Sequence, residues 1–124
     1  MCCGPYRFLP AEYIVFVAPT RLQLTMFSRI LQPAQLDDLI QSSTAESLAL
    51  ISVLTKISNS PILLKATVDN AKAKDTETTS TWRKGIRDAL QYLPERVHIA
   101  DVMLSGKLIV LSKILETLAQ VWNF

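Results

Sequence analysis

Three prolines decide most of what this chain can become. Pro33, Pro61 and Pro94 each fall where an apolar pattern of helical spacing ends. Proline has no amide hydrogen and crowds the preceding turn, so it breaks a helix that tries to run through it. It also steers the residue before it away from helical backbone angles. A chain cut at these places must build short helices that pack on one another. Of its 124 residues 49% are hydrophobic and 19% charged, enough apolar surface for one small core and too much for wholesale disorder.

The first helix opens at Thr20, with Gln23 three residues on as its capping-box partner. Leu22, Phe27, Ile30 and Leu31 fall on its apolar face, with Arg21, Gln23 and Ser28 elsewhere. Pro33 stops this helix or begins the next, which Leu36, Leu39 and Ile40 mark. Ser43 and Glu46 form a second capping box. It precedes an expected buried face of Leu48, Ile51, Leu54 and Ile57, widened by Leu50 and Val53, which ends near Asn59-Ser60-Pro61. Trp82, Ile86, Ala89, Leu90 and Leu93 predict an amphipathic helix stopped by Pro94. The last helix opens at Ser105-Gly106-Lys107 and runs to about Trp122. Its expected buried stripe is Leu108, Leu111, Leu115, Leu118 and Trp122, widened by Ile114 and Val121, with Lys113, Glu116 and Gln120 outside.

One segment breaks the helical pattern. Tyr13-Ile14-Val15-Phe16-Val17 is β-branched and aromatic and is closed by Pro19, which predicts a short strand buried on both faces. A strand needs a neighbour for its backbone donors and acceptors, and no second such run occurs. Its partner is therefore expected in sequence that this chain lacks. The predicted fold is mainly α with one short β-strand. Residues 1–12 form an irregular lead-in, 13–65 the strand plus helices, 66–80 a polar linker and 81–124 the remaining helices.

Few residues offer chemistry. The two cysteines, Cys2 and Cys3, are adjacent, so no disulfide framework or four-cysteine zinc site can form. They read as incidental thiols in a reducing, intracellular compartment; acylation there, or a nucleophile pair with the lone His98, is the weaker reading. Thirteen basic and eleven acidic side chains leave a net charge of +2, too weak to imply nucleic-acid binding from bulk charge. The longest apolar run, residues 14–19, is far shorter than a membrane span, so no membrane partner is expected. Asp37-Asp38 reads as a solvated face rather than an acid–base pair. Gly106-Lys107 does not belong to a phosphate loop. Asp101 stands where that loop needs its first glycine, and Leu108 where it needs a hydroxyl for magnesium. The remaining signal is basic: Arg83, Lys84 and Arg87 cluster on one helix, with Lys72, Lys74 and Lys107 near in sequence. Such charges suit phosphate contacts that read no bases, or simply a solvated helix face. Trp82 and Trp122 read as core residues rather than stacking platforms.

Three ordered segments resemble the SWI/SNF-type helicase-like ATPases, in particular the recombination-repair branch of Rad-type translocases. The first is Leu9-Pro10 followed by residues 13–23, with Pro19, Thr20 and Gln23 matching a Pro-Thr-x-x-Gln turn, and with Phe27, Ile30 and Leu31 in the helix that follows. The second is residues 48–64, ending in Lys56-Ile57-Ser58-Asn59-Ser60-Pro61-Ile62-Leu63-Leu64, similar to Lys-Leu-Cys-Asn-x-Pro-x-Leu, with Ser58 in place of cysteine. The third, Ser105-Gly106-Lys107-Leu108-Ile109-Val110-Leu111 and on through Leu115, is similar to the helix signature Ser-Gly-Lys-Leu-x-x-Leu. The resemblance covers roughly residues 9–120; residues 1–8 depart from it. It implies a helical inter-lobe fragment of a RecA-like two-lobed motor, joining the end of lobe one to the start of lobe two. It implies duplex DNA and other motor or recombination proteins as partners, a nuclear location, and a role in recombinational repair or chromatin remodelling. ATP and magnesium belong to the complete motor, and no cofactor is expected in this chain. The phosphate loop and the magnesium-binding Asp-Glu pair do not occur here, and the family's completing arginines come after the last matched segment. The chain then reads as a truncated product, an alternative transcript or a degenerate copy, inactive as an ATPase. The alternative is a non-enzymatic helical interaction module.

Overall fold

The computed structural model describes residues 11–41, 43–71 and 81–122, and at 34, 35, 39, 67–71 and 81–83 the backbone alone. Every regular element among these residues is helical. The order is α1 (Arg21–Ile30), α2 (Pro33–Ile40), α3 (Thr44–Asn59), α4 (Ile62–Ala71), α5 (Thr81–Leu90), a 3-10 turn (Val102–Leu104) and α6 (Gly106–Trp122). No helix among the described residues is long and apolar enough to cross a membrane.

Local chemistry sets the boundaries. Thr20 caps α1 through both arms of a capping box: its hydroxyl accepts from the Gln23 amide at 3.3 Å, and the Gln23 side chain accepts from the Thr20 amide at 2.8 Å. Pro33 is the first residue of α2, where a missing amide costs nothing. Ser43 caps α3 by accepting from the Glu46 amide. The helix ends at Asn59, and Ser60 is fully extended ahead of Pro61, as the residue before a proline must be.

The core forms where α1 meets α3, α4 and α5. Met26 and Ile30 of α1, four residues apart, pack with Leu50, Val53 and Ile57 of α3, Leu64 of α4 and Ile86 and Ala89 of α5. Buried Gly85 and Ala89 keep the α5 surface low. Leu22, Phe27, Leu31, Leu54, Leu90 and Leu93 pack around this centre. Residues on both sides of 72–80 thus share one core. Arg29 closes the open end of α1 by lying over the Tyr92 ring, 5.4 Å from its centroid.

Four expectations need correction. Residues 13–17 form no strand. The segment is irregular, and Tyr13 and Phe16 are 86% and 96% exposed rather than buried, because among the described residues no neighbouring strand takes its backbone bonds. The linker expected over 66–80 begins as helix, since α4 continues to Ala71; residues 72–80 lie outside the described part. On α3 the buried stripe is Leu50, Val53 and Ile57, while Leu48 and Ile51 face solvent. On α6 the expected stripe is not buried: Leu111, Leu115, Leu118 and Trp122 are exposed, as are Ile114 and Val121. Among the described residues, only the start of α6 docks on the body, and the apolar face beyond it stays largely uncovered. Trp122 is accordingly not a core residue, and the Trp82 side chain lies outside the described part.

Candidate functional site

The densest polar arrangement is built around one buried glutamine. Gln23, in the first turn of α1, is 2% exposed, although the sequence places it off the apolar face. Its amide makes four hydrogen bonds that reach three helix ends. Oε1 accepts from the Thr20 amide at 2.8 Å and from the Gly106 amide, the first of α6, at 3.1 Å. Nε2 donates to the carbonyls of Ile57 at 2.9 Å and Ser58 at 3.1 Å, in the last turn of α3.

Helix geometry explains why these partners are available. The carbonyl of Ile57 would ordinarily accept from the amide four residues on, but that residue is Pro61, which has none. The first amides of α6 have no partner inside their helix. One side chain with a donor end and an acceptor end therefore serves the C-terminus of α3 and the N-termini of α1 and α6 together. The arrangement is completed nearby. The Thr20 hydroxyl donates to the Leu104 carbonyl at 3.0 Å, tying the start of α1 to the 3-10 turn. The Ser105 hydroxyl, in a fully buried residue, caps α6 by accepting from the Leu108 amide at 3.4 Å. Lys107 Nζ donates to Asn59 Oδ1 at 3.1 Å, bridging α6 to the end of α3. Gly106 is buried against residues 17–18; a Cβ at this position would run into the Ala18 carbonyl oxygen and approach Val17 Cγ1 at 3.2 Å. Close backbone approach, rather than an unusual backbone angle, requires the glycine here.

All eight motif residues singled out in the sequence lie at or beside this junction: Pro19, Thr20 and Gln23 at the start of α1, Asn59 and Pro61 at the end of α3, and Ser105, Gly106 and Lys107 at the start of α6. Pro61 is fully buried and Ser60 beside it 5% exposed. Ser60 Oγ is, among the described residues, the buried side-chain polar atom with no hydrogen-bond partner. What the sequence reading missed is the work done by Gln23 at long range. The signal was present in Pro61, which leaves a helix-end carbonyl needing a donor from elsewhere.

The basic candidates do not all gather here. Lys84 and Arg87 are exposed on α5, and the Arg83 side chain lies outside the described part. Lys107 is exposed but sits at the junction, engaged with Asn59.

The junction is a connector rather than a ligand pocket. A cavity of roughly 50 Å³ lined by Val17, Ala18, Pro19, Gln23, Phe27, Ser58 and Lys107 is far below the ~300 Å³ of small ligand sites. A depression of about 270 Å³ along α6 is lined by Lys113, Ile114, Thr117 and Leu118, all of one helix. Asp101 does not act as part of a phosphate cradle; its carboxylate caps the 3-10 turn by accepting from the Met103 amide at 3.0 Å. Among the described residues no group of three or more His, Cys, Asp or Glu side chains could hold a metal ion. No family model, curated protein or solved structure matches the chain.

Proposed function

We propose that this chain is the helical junction between the two lobes of a SWI/SNF-type ATP-dependent DNA translocase, of the kind that acts in the nucleus in recombinational repair or chromatin remodelling. The observation that carries the reading is the meeting of the three resembling segments. Gln23 bonds to positions 34, 35 and 83 residues away, and each lies in one of the other two segments. Three weak motifs gain weight as a set when one side chain ties them together. In such a motor the junction's task is positional: it holds the end of one lobe in fixed register with the start of the next. Nucleotide chemistry belongs to groups that this sequence does not contain, and the chain alone does not hydrolyse ATP.

Duplex DNA is the proposed partner, with Arg83, Lys84 and Arg87 as phosphate contacts. The test is binding of the purified chain to a duplex as salt is varied. Phosphate contacts give an affinity that falls steeply with salt, with a slope of about −0.9 per phosphate neutralised. The triple change Arg83→Ala, Lys84→Ala, Arg87→Ala should flatten that slope by two to three contacts, at roughly equal cost for every sequence. Salt-independent binding, or a slope that the triple change leaves intact, would sink the DNA contact. DNA-stimulated phosphate release from the purified chain would sink the non-hydrolytic role.

The second reading, a non-enzymatic interaction module, is favoured by one observation: the apolar face of α6 and residues 13–16 both stand open to solvent.

A further inference from the structure

We propose that a second copy of this chain covers the exposed face of α6, in a two-fold pair that uses the same patch on both partners. Three features of that face single out the occupant. The first is spacing. Leu111, Leu115, Leu118 and Trp122 recur at intervals of four, three and four, the seam that two helices share when they pack side by side.

The second feature is charge. The positions flanking the seam from Ser112 onward are Ser112, Ile114, Ala119 and Val121, so the face carries no charge beyond Lys107 at its start. The charges of the helix lie off the seam and answer each other: Lys113 and Glu116 pair at 3.5 Å. An oppositely charged partner would find nothing to match here. An identical face meets no repulsion and matches in polarity by construction.

The third feature is area. Leu111, Ile114, Leu115, Leu118, Val121 and Trp122 are between 46% and 71% exposed. They leave on the order of 600 Å² of apolar surface open per chain, or ~1,200 Å² for a pair. That reaches the lower bound of about 1,200 Å² for specific, stable interfaces. It also matches or exceeds the largest apolar patch that a soluble monomer ordinarily leaves uncovered, roughly 300–600 Å². The geometry allows the approach, because α6 is anchored to the body at Gly106 and its remaining turns lie clear of the core.

The pairing does not depend on the translocase reading and is tested separately, by sedimentation equilibrium of the full chain at tens of micromolar. Reductant is included to exclude cystine links through Cys2 and Cys3. The expected mass is twice the 13.9 kDa of one chain. Leu115→Glu with Leu118→Glu should return the single-chain mass with the helical circular dichroism retained, since both positions are exposed. The milder Leu118→Gln should weaken the pair by on the order of tenfold. Ile14→Glu with Phe16→Glu, on the other exposed apolar segment, should leave the pair intact. A single-chain mass for the parent overturns the proposal. So does a pair that survives the α6 changes, or one that dissolves on changing residues 14 and 16.

Discussion

Replacing Gln23 with alanine removes the one side chain that serves three helix ends, and the cost can be worked from its four bonds. Two of them, to the Gly106 amide and the Ile57 carbonyl, are buried. Leaving a buried polar group unpaired costs about 1–3 kcal/mol each. The bonds to the Thr20 amide and the Ser58 carbonyl are partly buried, so water can replace them at little net cost. The expected loss is about 2–6 kcal/mol, a large share of the roughly 5–15 kcal/mol that holds a domain together. It should lower the melting midpoint by roughly 10–20 °C for a chain of this size. The assay is thermal and urea unfolding followed by circular dichroism, at fixed protein concentration because pairing would shift the midpoint. Gln23→Glu sharpens the test. Its carboxyl can donate to one of the two α3 carbonyls, and only while protonated, so burial against those carbonyls raises its folded pKa above the ordinary ~4.3 of glutamate. A raised folded pKa gives stability that is fully present below the unfolded value and is lost as pH rises through the folded one. The variant should therefore approach parental stability at acid pH and lose it toward neutrality, relative to the parent at each pH. A Gln23→Ala chain within ~1 kcal/mol of the parent, or a pH-independent Gln23→Glu, would refute the three-ended cap.

Gly106→Ala places a methyl against the Ala18 carbonyl. It should cost on the order of 2 kcal/mol or more by overpacking, read in the same unfolding assay; an unchanged midpoint would show that residues 17–18 do not press on α6. Ser60→Ala removes a buried hydroxyl with no partner, so it should be neutral or stabilising by up to about 1 kcal/mol. A loss of more than ~1 kcal/mol there would mean that the hydroxyl is bonded after all.

The helix boundaries could be read in the sequence because their signals are local. Thr20 with Gln23, Ser43 before Glu46, Pro33 at the head of α2, and Pro61 past the end of α3 each act within one turn of the chain. The face that each helix buries could not be read in the same way. On α3 the residues 48–51, 53, 54 and 57 are all apolar, so the periodic pattern is nearly closed around the helix, and packing against Met26 and Ile30 of α1 chose Leu50, Val53 and Ile57. On α6 the stripe was legible, but its burial was not, because burial needs a neighbour and the core formed elsewhere. The β-branched composition of 13–17 expressed a preference that only a second strand could realise.

Gln23 shows the division most clearly. As the third residue after Thr20 it announced a capping box, a relation within four residues. Its larger task depends on carbonyls 34 and 35 positions away and an amide 83 positions away. Propensity, capping and proline sterics act between neighbours and so are written along the chain. Burial and the pairing of helix-end groups act between segments that only the assembled fold brings within hydrogen-bonding reach, and there the tertiary structure decided.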